Sequence, residues 1–341
     1  GESLVPHAHQ VIYWPPQHMN GARHDKRDGV NYWRVGGKYS VYPYALAAIL
    51  AGRVGLGPLR DIDVAVDTQN GIPFFARPVA GVPTVLLTHH LHKEQWPVAG
   101  PVLARLGWWL ESRVAPAVYR GAPYVTVSPA SRQDLETLGV QGAEIIENGV
   151  DPIPPHVPRL GREAAIHLVT LSRLVPHKQI EHAMDTVAQI PEAVLDIIGS
   201  GWWEHSLREY AEKLGLGERV RFRGQVTEDY KHALLAQADL HLMPSRKEGW
   251  GLAVMEAAQH RVPTVGYSFG LRDSVHDQVT GRLVETPAQL LEATRELIAD
   301  PAERDRLGAG AQEFADQFSW ETTGRRFIDL LARVTGKTSA R

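Results

Sequence analysis

Residues Ala238-Asp-Leu-His-Leu-Met-Pro-Ser245, running into Arg246-Lys-Glu-Gly-Trp-Gly-Leu-Ala-Val-Met-Glu256, contain a complete strand–loop–helix passage. The first run is short, apolar-rich and closed by Pro244, which reads as a strand ending in a loop. After the Gly249-Trp250-Gly251 turn, Leu252 to His260 reads as a helix. A glycine-bracketed turn that opens a helix presents free N–H groups and the positive end of the helix dipole. Phosphates and sugar oxygens suit such a place. Glu248 and Glu256 stand eight residues apart around it, one on the loop and one a turn into the helix. A carboxylate accepts two hydrogen bonds from a vicinal diol, which a sugar ring and a ribose both offer. The spacing therefore suggests a nucleotide-sugar, with its phosphates at the helix tip and a carboxylate toward each sugar.

Outward from this passage, apolar strands and amphipathic helices alternate. From residue 160 onward strands are predicted at 166–171, 194–199, 220–222, 239–243 and 263–267, with helices at 178–190, 203–215, 229–237 and 252–260. The earlier half predicts strands at 63–66, 84–88 and 124–127 and helices at 43–52, 100–118 and 129–138. Such alternation implies parallel sheets with right-handed crossovers. Between the halves, Asp151-Pro-Ile-Pro-Pro-His-Val-Pro-Arg-Leu160 has four prolines in ten residues, which suits a linker and neither a helix nor a central strand. Residues 287–316 read as two helices, and Ser319 N-caps a last helix reaching about residue 334. The expected fold is α/β, with domains at 1–155 and 160–318 and a closing helix within 319–341. Ligands of such folds bind at the carboxyl ends of the strands, here in a cleft between two sheets. Ahead of residue 10 no opening strand and glycine-rich loop are seen, so the first strand is expected to be missing from the chain as read.

The chain has 341 residues and a net charge of −3, a size for two domains and a charge unlike that of a nucleic-acid binder. It lacks cysteine, which excludes disulfides and thiolate chemistry and fits a cytoplasmic protein. No apolar run approaches the ~18 residues of a membrane span, and no signal peptide is read.

Several other stretches carry candidate chemistry. In Leu171-Ser-Arg-Leu-Val-Pro-His-Lys178, Arg173 and Lys178 bracket a loop after a strand and read equally, taken alone, as two solvated surface charges or as cations that neutralise a leaving diphosphate without a metal; the glutamate motif in the same sheet favours the second. Ile197-Ile-Gly-Ser-Gly201 reads equally as a structural turn or a ligand loop. Arg223-Gly-Gln-Val226 reads as a simple turn or as backbone meeting a nucleobase at Gly224 and Val226. Thr88-His-His-Leu-His92 has three histidines, but no familiar zinc spacing and no evident acidic partner. His89 is the candidate sugar contact, with His90 and His92 as bystanders. Trp108-Trp109 and Trp202-Trp203 are expected to pack at helix faces. Residues 100–118, with Leu103, Leu106, Trp109, Arg105 and Arg113, are expected to cover the sheet, although a membrane-surface helix shares the pattern.

Together, Glu248–Glu256, the Ser172-Arg173…Lys178 loop, Glu147-Asn-Gly-Val-Asp151 and Phe318-Ser-Trp320 resemble the retaining GT-B glycosyltransferases of family GT4. Arg34-Val-Gly-Gly-Lys-Tyr39 and Asp67…Pro73-Phe-Phe75 resemble a bacterial branch of that family. The resemblance spans about residues 20–335. It implies two Rossmann-like domains with the site between them, and metal-free transfer of a hexose from a nucleoside diphosphate sugar with retention. By similarity, Arg173 and Lys178 hold the diphosphate, Glu256 the ribose, and Glu248 with Gly249, Trp250, Gly251 and Leu252 the donor sugar. Val226 and its neighbours meet the base, His89 faces the transferred sugar, and the last helix crosses back to the first domain. The family's glycine-rich donor loop is reduced to Gly1-Glu-Ser3 or absent. The acceptor is a hydroxyl of a saccharide, a lipid or a small metabolite. Mannose from GDP-mannose, or glucose from a UDP donor, is the favoured group. Other readings are a GT-B epimerase or phosphorylase, and a non-catalytic nucleotide-sugar-binding homologue.

Overall fold

A computed structural model describes residues 10–17, 22–37, 40–161 and 166–337. The chain divides into two compact units, residues 1–149 with 320–341, and residues 150–319.

In the first unit, β1 (Val11–Tyr13), β2 (His24–Arg27) and β3 (Val30–Trp33) form a small sheet of order β1-β3-β2. β2 and β3 pair antiparallel with Arg27 opposite Val30, joined through Asp28-Gly29, a tight-hairpin dipeptide. The larger sheet is parallel, with β4 (Ala65–Gln69), β5 (Thr84–Thr88), β6 (Tyr124–Thr126) and β7 (Glu144–Ile145) in sequence order. Leu86 on one face packs with Tyr119, Tyr124 and Leu135. Val85, Val125 and Ile146 on the other are covered by Phe327, Leu330 and Leu331. These last belong to the helix Trp320–Thr335, whose apolar residues recur at helical spacing. Burial of each such aliphatic side chain contributes roughly 1.5–3 kcal/mol. Arg326 secures the helix end by donating to the Glu147 carboxylate and the Ile145 carbonyl, while Thr323 Oγ1 donates to Glu147 O at 2.8 Å.

The second unit is a six-stranded parallel sheet of order β10-β9-β8-β11-β12-β13. Its strands are β8 (Ile166–Leu171), β9 (Ala193–Ile198), β10 (Val220–Gly224), β11 (Leu240–Met243), β12 (Thr264–Tyr267) and β13 (Gly281–Val284). Strands β8, β9 and β11 are almost wholly buried, as expected of a sheet with helices on both faces. The order reverses between β8 and β11, so their carboxyl ends diverge at a topological switch point, where ligands of such sheets bind.

Three expectations change. β13 and the small N-terminal sheet were not foreseen, because their strands are only three or four residues long. The helix expected over 100–118 is instead Pro101–Trp109, a π-helical turn at Leu110–Val114, and Ala115–Val118. Its residues Leu103, Leu106 and Trp109 face solvent rather than the sheet, and Trp202 is likewise exposed. The opening Gly1-Glu-Ser3, and Lys38 and Tyr39 of the Arg34–Tyr39 motif, lie outside the described residues.

Candidate functional site

The loops after β8 and β11 are laced together. The Arg246 amide donates to the His177 carbonyl at 2.9 Å, and Lys178 Nζ meets Glu248 Oε1 at 2.5 Å. Both side chains of that pair are 12% exposed. Arg173, on the same loop as Lys178, is exposed and has no side-chain partner among the described residues. The two cations thus differ: Lys178 is held by a carboxylate, whereas Arg173 is available.

The backbone under Arg173 is fixed by the glycine turn after β9. A Cβ on Gly199 would stand 2.0 Å from the Ser172 carbonyl oxygen, and one on Gly201 would stand 2.1 Å from that of Leu174. No other residue permits this approach. Ile197-Ile-Gly-Ser-Gly201 is therefore the platform on which the cation loop rests, which answers in part the two readings its sequence left open. The neighbouring β10 turn joins the same edge, with Gly199 N donating to Gly224 O at 2.9 Å. Val226 packs against Val169, Ile198 and Leu235, so its side chain contributes to the core.

Glu256 lies in the helix Leu252–Ala258, which Gly251 opens in a left-handed conformation with φ +83°. Its Oε1 is 2.5 Å from Lys231 Nζ, and Lys231 also reaches Glu228 Oε2 at 2.5 Å. Burial raises the Glu256 carboxyl above its ordinary range, and Lys231 pulls it partly back. Burial alone would lower Lys231, but hydrogen bonds to Glu228 and Glu256 outweigh it and leave the ammonium raised. Lys231 went unnoticed in the sequence. It stands 25 residues from Glu256, and its only local signal is the Glu228–Lys231 spacing on one helix face. Trp250 is buried edge-on against Phe318, with ring centroids 4.7 Å apart, so only its main chain is available to a ligand. Gly249 and Leu252 flank it, and Leu252 is partly exposed.

His89 lies in the first unit, just past β5. Its carbonyl accepts from Ser131 Oγ at 2.7 Å, and burial, with His92 beside it, lowers the imidazole below its ordinary value. The ring is therefore neutral near pH 7. The histidine run does have an acidic partner that the sequence reading overlooked. Glu111 is fully buried, and accepts from His92 N at 2.9 Å and Trp96 Nε1 at 2.7 Å. A lone acid in an apolar stretch was the available clue. No group of three or more His, Cys, Asp or Glu with metal-holding geometry occurs among the described residues.

The bacterial-branch motif also acquires a cause. Buried Asp67 accepts from Phe74 N at 2.9 Å, Ala76 N at 3.0 Å and the Tyr119 hydroxyl, and so holds the Pro73-Phe-Phe75 loop.

Comparison with known proteins places this geometry in context. The family model described as glycosyl transferases group 1 matches residues 159–314. The chain is 30% identical over 292 residues to the GDP-mannose-dependent alpha-(1-6)-phosphatidylinositol monomannoside mannosyltransferase of Mycolicibacterium smegmatis, covering 77% of this chain and 72% of that protein. Sucrose-phosphate synthase from Thermosynechococcus elongatus superposes with a TM-score of 0.83 at 19% identity, over 98% of this chain and 92% of that one. Anabaena HepE in complex with UDP-glucose gives a TM-score of 0.75 at 18% identity, over 95% of this chain and all (100%) of that one. At such identities the solved structures speak for the fold, which is the GT-B fold expected from the sequence.

Proposed function

The chain belongs to the group 1 glycosyltransferases, which work on nucleotide sugars, and from that premise we propose a metal-independent hexosyltransferase that retains anomeric configuration. Mannose from GDP-mannose is the favoured donor group, by similarity to the mycobacterial enzyme. The acceptor is a hydroxyl of a saccharide, a lipid or a small metabolite. The observation that carries this reading is the pair of lysine-bound carboxylates at the carboxyl edge of the second sheet, Lys178–Glu248 and Lys231–Glu256, each closed at 2.5 Å.

In the proposed mechanism, Glu256 is kept ionised by Lys231 and accepts hydrogen bonds from both ribose hydroxyls. Arg173 and Lys178 meet the diphosphate. As the sugar–phosphate bond breaks, negative charge develops on the leaving oxygen, and fixed cations there lower the barrier without any metal. Glu248 then trades its contact with Lys178 for the hydroxyls of the donor sugar. The acceptor hydroxyl attacks the oxocarbenium-like sugar from the face the phosphate leaves, with a donor phosphate oxygen taking its proton. Neutral His89 donates a hydrogen bond to the transferred sugar.

Thermal shifts with GDP, UDP, ADP, dTDP and their sugars, in EDTA, test the reading. A ligand at about 100 times its Kd adds about 2.7 kcal/mol of stability. One nucleotide should stabilise the protein, and Glu256→Ala should cut that shift by at least about 1 kcal/mol. Incubation with the matching sugar and an acceptor should then give a product whose anomeric configuration matches the donor's. Inversion, or a strict need for added magnesium, would overturn the mechanism.

A further inference from the structure

Glu111 is a carboxylate with no exposure to solvent, in the π-helical turn Leu110–Val114. Such turns frequently mark functional sites. Burying a charge is costly unless its surroundings answer it. Each oxygen of Glu111 has one donor. Oε1 accepts from His92 N at 2.9 Å and Oε2 from Trp96 Nε1 at 2.7 Å. No lysine or arginine pairs with it among the described residues. The basic group beside it is the His92 imidazole, whose Nδ1 lies 3.5 Å from Oε1. That Nδ1 is itself buried and makes no hydrogen bond. A carboxylate so placed favours the ring proton on Nδ1, and so fixes both the tautomer and the orientation of the imidazole.

Every group that Glu111 engages belongs to the segment that carries His89. Ser131 Oγ holds one end of the turn, donating to the His89 carbonyl at 2.7 Å. Glu111 holds the other end, at His92. Trp96 ties the arrangement down, because its indole lies against Gly107 and Gly71, where an added Cβ would stand 2.4 Å and 3.0 Å from the ring. At the strand end, Thr88 Oγ1 donates to Gln69 Oε1 at 3.2 Å. Packing alone does not call for a charge in this place, since a neutral side chain fills the same volume without the desolvation cost.

We propose that Glu111 is a positioning residue for sugar transfer: by fixing the backbone and the ring of His92, it sets the direction in which the turn presents His89. The inference rests on the reading above, in which His89 meets the transferred sugar.

The test is nucleotide release from GDP-mannose and from UDP-glucose by the full chain, with nucleotide affinity titrated separately. His89→Ala should lower kcat about a hundredfold. Glu111→Gln should lower it about ten- to a hundredfold, the cost of a misplaced contact, and leave nucleotide Kd unchanged, because Arg173, Lys178 and Glu256 belong to the other unit. Glu111→Gln/His89→Ala should be no slower than His89→Ala, as expected of one residue acting through the other. An amide at 111 can set its NH2 against the Trp96 N–H, so Glu111→Gln/Trp96→Phe, which removes that donor, is the second variant. It should melt as the natural protein does and show the same kinetic loss. Additive losses in the double variant with His89→Ala, or undiminished kcat in Glu111→Gln and Glu111→Gln/Trp96→Phe, would overturn the inference and leave His89 its role. Undiminished kcat in His89→Ala, or turnover of neither donor by the natural protein, would instead remove the underlying reading and the inference with it.

Discussion

Lys178 and Glu248 stand 70 residues apart in the sequence and meet at 2.5 Å in a place almost closed to water. The pair binds the loop after β8 to the loop after β11. In the proposed mechanism Lys178 leaves this contact for the donor diphosphate. Lys178→Ala should lower kcat about a hundredfold, the order seen when one donor to developing charge is removed, with a smaller effect on donor KM. It should also cost about 1–3 kcal/mol of stability, because Glu248 is left without its partner. Lys178→Met/Glu248→Gln should recover most of the stability but not the turnover. Urea unfolding and steady-state kinetics on the same preparations separate the two effects.

Glu256→Ala should raise donor KM by about 1–3 kcal/mol, or roughly ten- to a hundredfold, through lost hydrogen bonds to a buried diol. Lys231→Met should act through the same group. Without the ammonium, burial moves the Glu256 carboxyl further up, so donor KM should climb as pH falls, more steeply than in the natural protein. Lys231→Arg should restore the natural profile. A pH profile that Lys231→Met leaves unchanged would separate Lys231 from the function of Glu256.

Gly199→Ala and Gly201→Ala each force a Cβ into a carbonyl oxygen of the Ser172–Leu174 loop. Either should cost about 1–3 kcal/mol and displace Arg173. Donor affinity should fall with stability, although neither residue bears a functional group. Calorimetric melting and nucleotide titration of both variants check this.

His241 is wholly buried in β11, and desolvation lowers its imidazole to about 3. Its Nδ1 lies 3.0 Å from Thr264 Oγ1. A histidine so depressed is neutral in the folded protein while the unfolded chain takes up a proton below 6.5. Its contribution is therefore intact above that pH and is lost as pH falls toward about 3. Between pH 6.5 and about 5 the loss is at most about 2 kcal/mol. His260, lowered to about 4 by burial and by His232, adds in the same direction. Urea midpoints should fall across this window, and His241→Leu should flatten the decline.

The strands Ile166–Leu171 and Thr84–Thr88 were legible residue for residue, because each is a buried apolar run between turn signals. The Glu248–Glu256 loop and the Arg173–Lys178 loop were legible because each lies within a few residues of a strand end. Lys231, Glu111 and the twin approach of Gly199 and Gly201 were not. Their meaning comes from a neighbour distant in sequence, and no local pattern encodes that pairing. The reversed helix Pro101–Trp109 shows a further limit. Periodicity reveals that a face is apolar, whereas only Gly107 against Trp96 decides which way it points.

The last helix, Trp320–Thr335, belongs to the core of the unit that begins the chain, whereas residues 150–319 form an uninterrupted stretch. On the ribosome the order of completion is therefore inverted. The second unit is synthesised whole and is free to fold, while the earlier unit waits with Val85, Val125 and Ile146 uncovered until the helix Trp320–Thr335 is made. A stop codon between Trp320 and Phe327 would leave the second unit its full sequence and strand the first unit with an open apolar face. Such a truncation should aggregate through residues made long before the break.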